Sequence, residues 1–110
     1  MRRVLILLLL ACLLPAVFLL RSRGRWLQKK HKVTLKWQAP VPRTGENIVG
    51  YDIYRSDEEN GAFGLIAEKV NALTYIDSDV QSGHTYYYRV TSRDTKGRES
   101  IPATINATVP

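Results

Sequence analysis

Residues Val33-Thr34-Leu35-Lys36-Trp37-Gln38 alternate strictly between apolar and polar side chains, the period of a strand with one buried face. Val33, Leu35 and Trp37 share the apolar face. Ala39-Pro40-Val41-Pro42 ends this strand, because proline offers no N–H to a ladder. The longest β-type run is Gly83-His84-Thr85-Tyr86-Tyr87-Tyr88-Arg89-Val90-Thr91-Ser92-Arg93-Asp94, rich in residues that suit a pleated, half-buried surface. Alternation puts Tyr86, Tyr88, Val90 and Ser92 on one face. Tyr87, Arg89, Thr91 and Arg93 take the other, and its two arginines make the first face the predicted core face. Gly50-Tyr51-Asp52-Ile53-Tyr54-Arg55 predicts a strand with Tyr51 and Ile53 inward. Residues 63–70 predict its returning partner, Leu73-Thr74-Tyr75-Ile76-Asp77 another strand, and 100–109 the last. Asn60-Gly61 predicts a tight hairpin with positive φ, and Asp94-Thr95-Lys96-Gly97 a second turn with Gly97 at φ > 0. Short strands at spacings of roughly ten residues, punctuated by turn signals, predict an all-β sandwich or barrel.

The pattern before residue 33 is different. Residues 1–3 form a short basic tail, 4–20 an uninterrupted apolar run, and 21–32 a basic linker. A helix over 4–20 spans about 25 Å at 1.5 Å per residue, just short of the ~30 Å hydrocarbon core. Flanking arginines reach the remaining distance by snorkelling. The run predicts a transmembrane helix or a signal sequence, and a membrane is its expected partner. Three readings stay open: a retained signal anchor, a cleaved signal peptide, or a lipoprotein signal. Leu9-Leu10-Ala11-Cys12 resembles a bacterial lipobox, which implies lipidation at Cys12. Arg21, Arg23, Arg25, Lys29, Lys30 and Lys32 on the far flank argue for a cytoplasmic domain. The signal-like start argues for export, and the extracytoplasmic side is the expectation.

Together these strands carry a resemblance. Val80-Gln81-Ser82-Gly83-His84-Thr85-Tyr86, followed by Tyr88 and Val90, resembles the E–F corner and strand F of a fibronectin type III domain. Trp37 matches that family's core tryptophan and Tyr51/Ile53 its strand C. The resemblance covers residues 31–110 and points to a small, bacterial-type protein with an N-terminal anchor or signal. It implies an immunoglobulin-like β-sandwich over 33–110. It gives Tyr86 the tyrosine-corner hydroxyl and Trp37, Tyr51, Ile53, Tyr86, Tyr88 and Val90 structural roles. It also implies that the turn carrying Arg93, Lys96 and Arg98 is the candidate ligand loop. Two features depart from the family. Val80 and Ser82 stand where leucine and proline are common. The family's strand A is not evident, so residues 33–38 are expected to form an open edge able to accept a partner strand. In the alternative, Arg25-Trp26-Leu27-Gln28-Lys29 folds back to cover it.

Charge narrows the function classes. The chain carries 16 Lys/Arg against 10 Asp/Glu. Eight of the bases and none of the acids fall within residues 1–32. The folded part is slightly acidic, so no nucleic-acid partner is expected. Cys12 is the one cysteine, so no disulfide closes the domain. No Gly-x-Ser-x-Gly elbow is present. His31 and His84 show no spacing that suggests a shared site. Asp77 and Asp79 flank Ser78, with too few oxygen ligands for a calcium loop. Asp57-Glu58-Glu59 is a solvated turn tip, and Asn106-Ala107-Thr108, a glycosylation tripeptide, falls within a predicted strand. No catalytic residue, cofactor or metal is expected. The expected role is a membrane-anchored, surface-exposed module that binds or spaces protein or glycan. Its alternative is a lipid-anchored accessory subunit of an envelope complex or carbohydrate-active enzyme.

Overall fold

The computed structural model describes residues 5–11 and 30–110. Seven strands form among these residues: β1 (Leu5–Ala11), β2 (His31–Gln38), β3 (Ile48–Ser56), β4 (Gly64–Val70), β5 (Thr74–Val80), β6 (Thr85–Asp94) and β7 (Ala103–Thr108). They build two antiparallel sheets, ordered β1-β2-β5 and β4-β3-β6-β7. The sheets face each other as a sandwich around one core.

Alternation explains that core. Val33, Leu35 and Trp37 of β2 are buried, and so are Tyr51 and Ile53 of β3 and Tyr86, Tyr88 and Val90 of β6. Trp37 packs edge-on against Tyr51 across the two sheets, ring centroids 5.4 Å apart, a favoured aromatic geometry. Ala107 of β7 and Val109 just after it complete the core. The other face of β6 is not simply solvated: Thr91 is buried and Tyr87, Arg89 and Arg93 are half-buried. Its polar side chains find partners there, as described below.

The corner between β5 and β6 is closed by Tyr86, whose hydroxyl oxygen accepts a 2.9 Å hydrogen bond from the Gln81 N–H. Gly83 turns the chain at φ 80° and donates its N–H to the Val109 carbonyl at 2.8 Å. Gly97, at φ 77°, closes the turn after β6 by donating to the Asp94 carbonyl. The Asn60-Gly61 expectation needs correction. The positive-φ glycines of the described residues are Gly45, Gly83 and Gly97, not Gly61. Residues 57–63 form a wider loop, in which the Ser56 hydroxyl both donates to the Glu58 carbonyl and accepts from its N–H. Gly61 is required by crowding instead, since a Cβ there would fall 2.9 Å from Ser56 Oγ.

The N-terminal run brings the larger correction. Leu5–Ala11 is extended and pairs with β2 from Leu5 opposite Gln38 to Ala11 opposite Lys32. The expected open edge over 33–38 is therefore covered, and β1 stands where strand A was missing. The physical reason is that a uniformly apolar run carries no period to separate helix from strand. In a bilayer its backbone groups are satisfied within a helix, whereas beside β2 they are satisfied by the ladder. The rest of the expected 4–20 helix lies outside the described residues. So do the tail 1–3, Cys12, most of the basic linker and the Arg25-to-Lys29 alternative. Among the described residues no helix is long and apolar enough to cross a membrane.

Two outcomes are expected. In urea melts, Tyr86→Phe loses about 1–2 kcal/mol, because the Gln81 N–H loses its acceptor, and Trp37→Ala loses about 3–5 kcal/mol. An unchanged Tyr86→Phe midpoint would remove the corner's stabilising role. In amide exchange without membranes or detergent, alternate β2 amides are slow in the full chain and fast after deletion of residues 1–20, while β6 stays protected. Fast β2 exchange in both proteins would show that β1 does not pair in solution.

Candidate functional site

Three polar constellations stand on this frame. The first lies between the sheets. Asp77 of β5 is buried, and Arg55 Nη1 of β3 reaches its two carboxylate oxygens at 3.1 and 2.9 Å. The Tyr88 hydroxyl of β6 donates to the same carboxylate at 2.8 Å, as does the Asp79 N–H at 3.1 Å. Arg55 also donates to the Asp79 carbonyl at 2.9 Å. Burial, then the hydrogen bond to Asp77, pushes the Tyr88 hydroxyl far up. Burial works against the Arg55 charge, but its bonds to Asp77 and Asp79 raise its pKa on balance. The Asp77/Asp79 pair thus serves a guanidinium, not a cation loop. Among the described residues no three His, Cys, Asp or Glu side chains gather to hold a metal.

The second lies on the outer face of the four-stranded sheet. Asp52, fully buried, accepts from the Lys69 N–H at 3.0 Å and from Arg93 Nε at 2.8 Å. Arg93 also reaches Glu99 at 3.2 Å, and the Tyr54 hydroxyl donates to Glu99 at 2.6 Å. Burial pushes the Asp52 carboxyl up, but its hydrogen bonds outweigh this and hold it below the usual value. The Tyr54 hydroxyl is pushed up to about 12 by burial and by Glu99. Lys69 adopts φ 50°, uncommon for a residue with a side chain, at an irregularity in the β3–β4 ladder. Its backbone crowds Gly50, where a Cβ would fall 2.8 Å from it. Arg93, named from the sequence as a loop residue, is therefore committed to this cluster.

The third is a groove of about 510 Å³ between residues 43–48 and the turn after β6. Lys96 and Arg98 line it with Arg43, Glu46, Asp94 and Glu99. Asp94 is buried beneath the turn and accepts from the N–H groups of Lys96 and Arg98 at 2.9 and 2.8 Å. Arg98 Nε adds a third bond at 2.7 Å. Burial alone raises the Asp94 pKa, but these bonds bring it below the usual carboxylate value. The Thr95 N–H donates to the Asn47 carbonyl at 3.1 Å, tying the turn to the opposite wall. Of the three predicted loop residues, the fold brings Lys96 and Arg98 to one groove and sends Arg93 elsewhere. Asp52, Arg55 and Glu99 had no signal in the sequence beyond a charged residue at a strand or turn position.

These features define the class. The structure's neighbours are fibronectin type III domains, and the described sandwich has that fold. It superposes on an Fn3-like protein from Clostridium thermocellum with TM-score 0.61 and 26% identity, covering 72% of this chain and 77% of that one. A human fourth FNIII domain gives TM-score 0.62 at 17% identity, covering 87% and 88%. Among curated proteins, an amylopullulanase of Thermoanaerobacter thermohydrosulfuricus is 37% identical over 78 residues, 70% of this chain. The chain spans 5% of that relative's length. No family model matches the chain.

The inter-sheet pair is testable. Arg55→Leu leaves the buried Asp77 carboxylate uncompensated and is expected to cost roughly 3 kcal/mol. Adding Asp77→Asn, which keeps an acceptor for Tyr88, should recover part of that loss. Strict additivity of the two single changes, within about 0.5 kcal/mol, would refute the coupling.

Proposed function

We propose that the chain is a membrane-anchored, surface-exposed fibronectin type III module that binds or spaces protein or glycan without catalysis. The observation that carries this reading is the braced groove at the loop end of the sandwich. Its two walls are tied together through Thr95 and Asn47, and Lys96 and Arg98 stand at its rim. Loops on a rigid scaffold are where binding sites gather. The titratable groups of the two buried clusters are engaged in hydrogen bonds that hold the fold, which favours a scaffold over a catalyst. The apolar run 4–20 is the proposed anchor, with the domain on the extracytoplasmic side. Inserting it requires β1 to leave β2.

A second reading is an accessory subunit of a carbohydrate-active enzyme, lipidated at Cys12. The likeness to an amylopullulanase segment favours it. Palmitate-analogue labelling that vanishes in Cys12→Ser would select this reading over a peptide anchor.

The anchor has a direct test. The full chain should stay in the membrane pellet after high salt and carbonate, whereas adhesion by the basic linker alone would be released by salt. The domain should be cleaved by protease added to intact cells. Recovery of a shortened chain in the carbonate supernatant, or full protection from protease, would overturn the proposal.

A further inference from the structure

The β6–β7 half of the outer sheet face carries a groove that none of the three constellations uses. Its volume is about 290 Å³, near the lower end for small-ligand sites. The strand register sets its floor: Tyr87 lies opposite Asn106 and Arg89 opposite Thr104. The loop between β3 and β4 supplies a wall, with Glu59, Asn60 and Phe63.

Arg89 is the anomaly. Arg55, Arg93 and Arg98 each hold a carboxylate, whereas Arg89 makes no ion pair among the described residues. Its guanidinium lies over the Phe63 ring instead, 3.7 Å from the centroid, a cation–π contact. Its Nε is buried with no hydrogen-bond partner among the described residues. A guanidinium has five N–H donors in one plane, and a buried donor left unpaired is costly. The stack on Phe63 holds that plane in the lining of the groove, and no acceptor for its donors stands among the described residues.

The lining identifies the acceptor's class. Tyr87 and Phe63 offer aromatic surface. Asn60, Asn106 and Thr104 each donate and accept, Arg89 donates and Glu59 accepts. One cation and one carboxylate leave the groove without net charge, which disfavours a polyanion. A fitting ligand has an apolar C–H face and a rim of uncharged hydroxyls. We infer that this groove binds a neutral oligosaccharide through one or two pyranose rings, with Arg89 as its fixed donor. This deepens the glycan arm of the proposed function and rests on it, but moves the contact from the loop groove to the sheet face.

The test is an amide-shift titration of the full chain in dodecylphosphocholine, a detergent without a sugar headgroup. The probes are maltohexaose, cellohexaose and xylohexaose, with a galacturonic acid hexamer as the anionic comparison. At least one neutral probe is expected to shift Asn60, Phe63, Tyr87, Arg89, Thr104 and Asn106. Arg89→Ala should weaken that binding by about tenfold or more, the loss of a charged hydrogen bond. Thr104→Val, at an exposed strand position, should weaken it less and leave the remaining spectrum in place. Shifts confined to residues 43–48 and 94–100 would overturn this site while supporting the loop groove. A larger response to the galacturonic acid hexamer than to any neutral probe would overturn the ligand class. No response to any probe would overturn the inference and leave the protein-binding or spacer reading standing.

Discussion

The sandwich depends on one buried carboxylate. Asp77 sits on β5, in the smaller sheet, while its partners Arg55 and Tyr88 come from β3 and β6 of the larger one. Apolar packing sets how far apart two sheets lie, but it tolerates sliding. A buried charge does not, because it is stable only while paired and hydrogen-bonded. Asp77 therefore ties the two sheets together at one point, through Arg55 and Tyr88. It also orders the start of the corner, through the Asp79 N–H, a few residues before Tyr86 closes that corner from below.

That fixed frame presents two unlike surfaces. At one end, Asp94 gathers the turn after β6 into a stiff tip and presents Lys96 and Arg98 beside residues 43–48. On the outer sheet face, Asp52 and Arg93 occupy the end nearest that turn, and Tyr87 and Arg89 define the other. The first surface is charged and loop-built. The second is aromatic and without net charge, with a floor of paired strands and a wall from the β3–β4 loop.

Leu5–Ala11 is the element that the fold and the proposed anchor both claim. Beside β2 it completes the small sheet and also runs close to β7. As the proposed anchor, the same residues would satisfy their backbone as a helix. These arrangements exclude each other, so the proposed insertion would free the β2 edge that β1 covers.

Local patterns in the chain specify the sandwich. Period-two runs, a tryptophan on the first of them and the Gly83-to-Tyr86 corner specify strands, faces and core, because alternation and turn chemistry are local properties of the chain. Trp37, Tyr51, Ile53, Tyr86, Tyr88 and Val90 were legible as core for that reason. What Asp52, Asp77 and Arg89 do was not, since each takes its role from residues distant in the chain. Asp52 reads as one charge on an outward position until Lys69 and Arg93 close over it. Arg89 reads as a solvated face residue until Phe63 stacks upon it. Arg93 left its expected loop because the sheet brings it beside Asp52. The Asn60-Gly61 turn failed for a related reason, since the loop's width follows from Ser56 and Glu58. The leader's pairing was undecided because a run of leucines has no period, and only a neighbouring edge or a bilayer can choose its conformation.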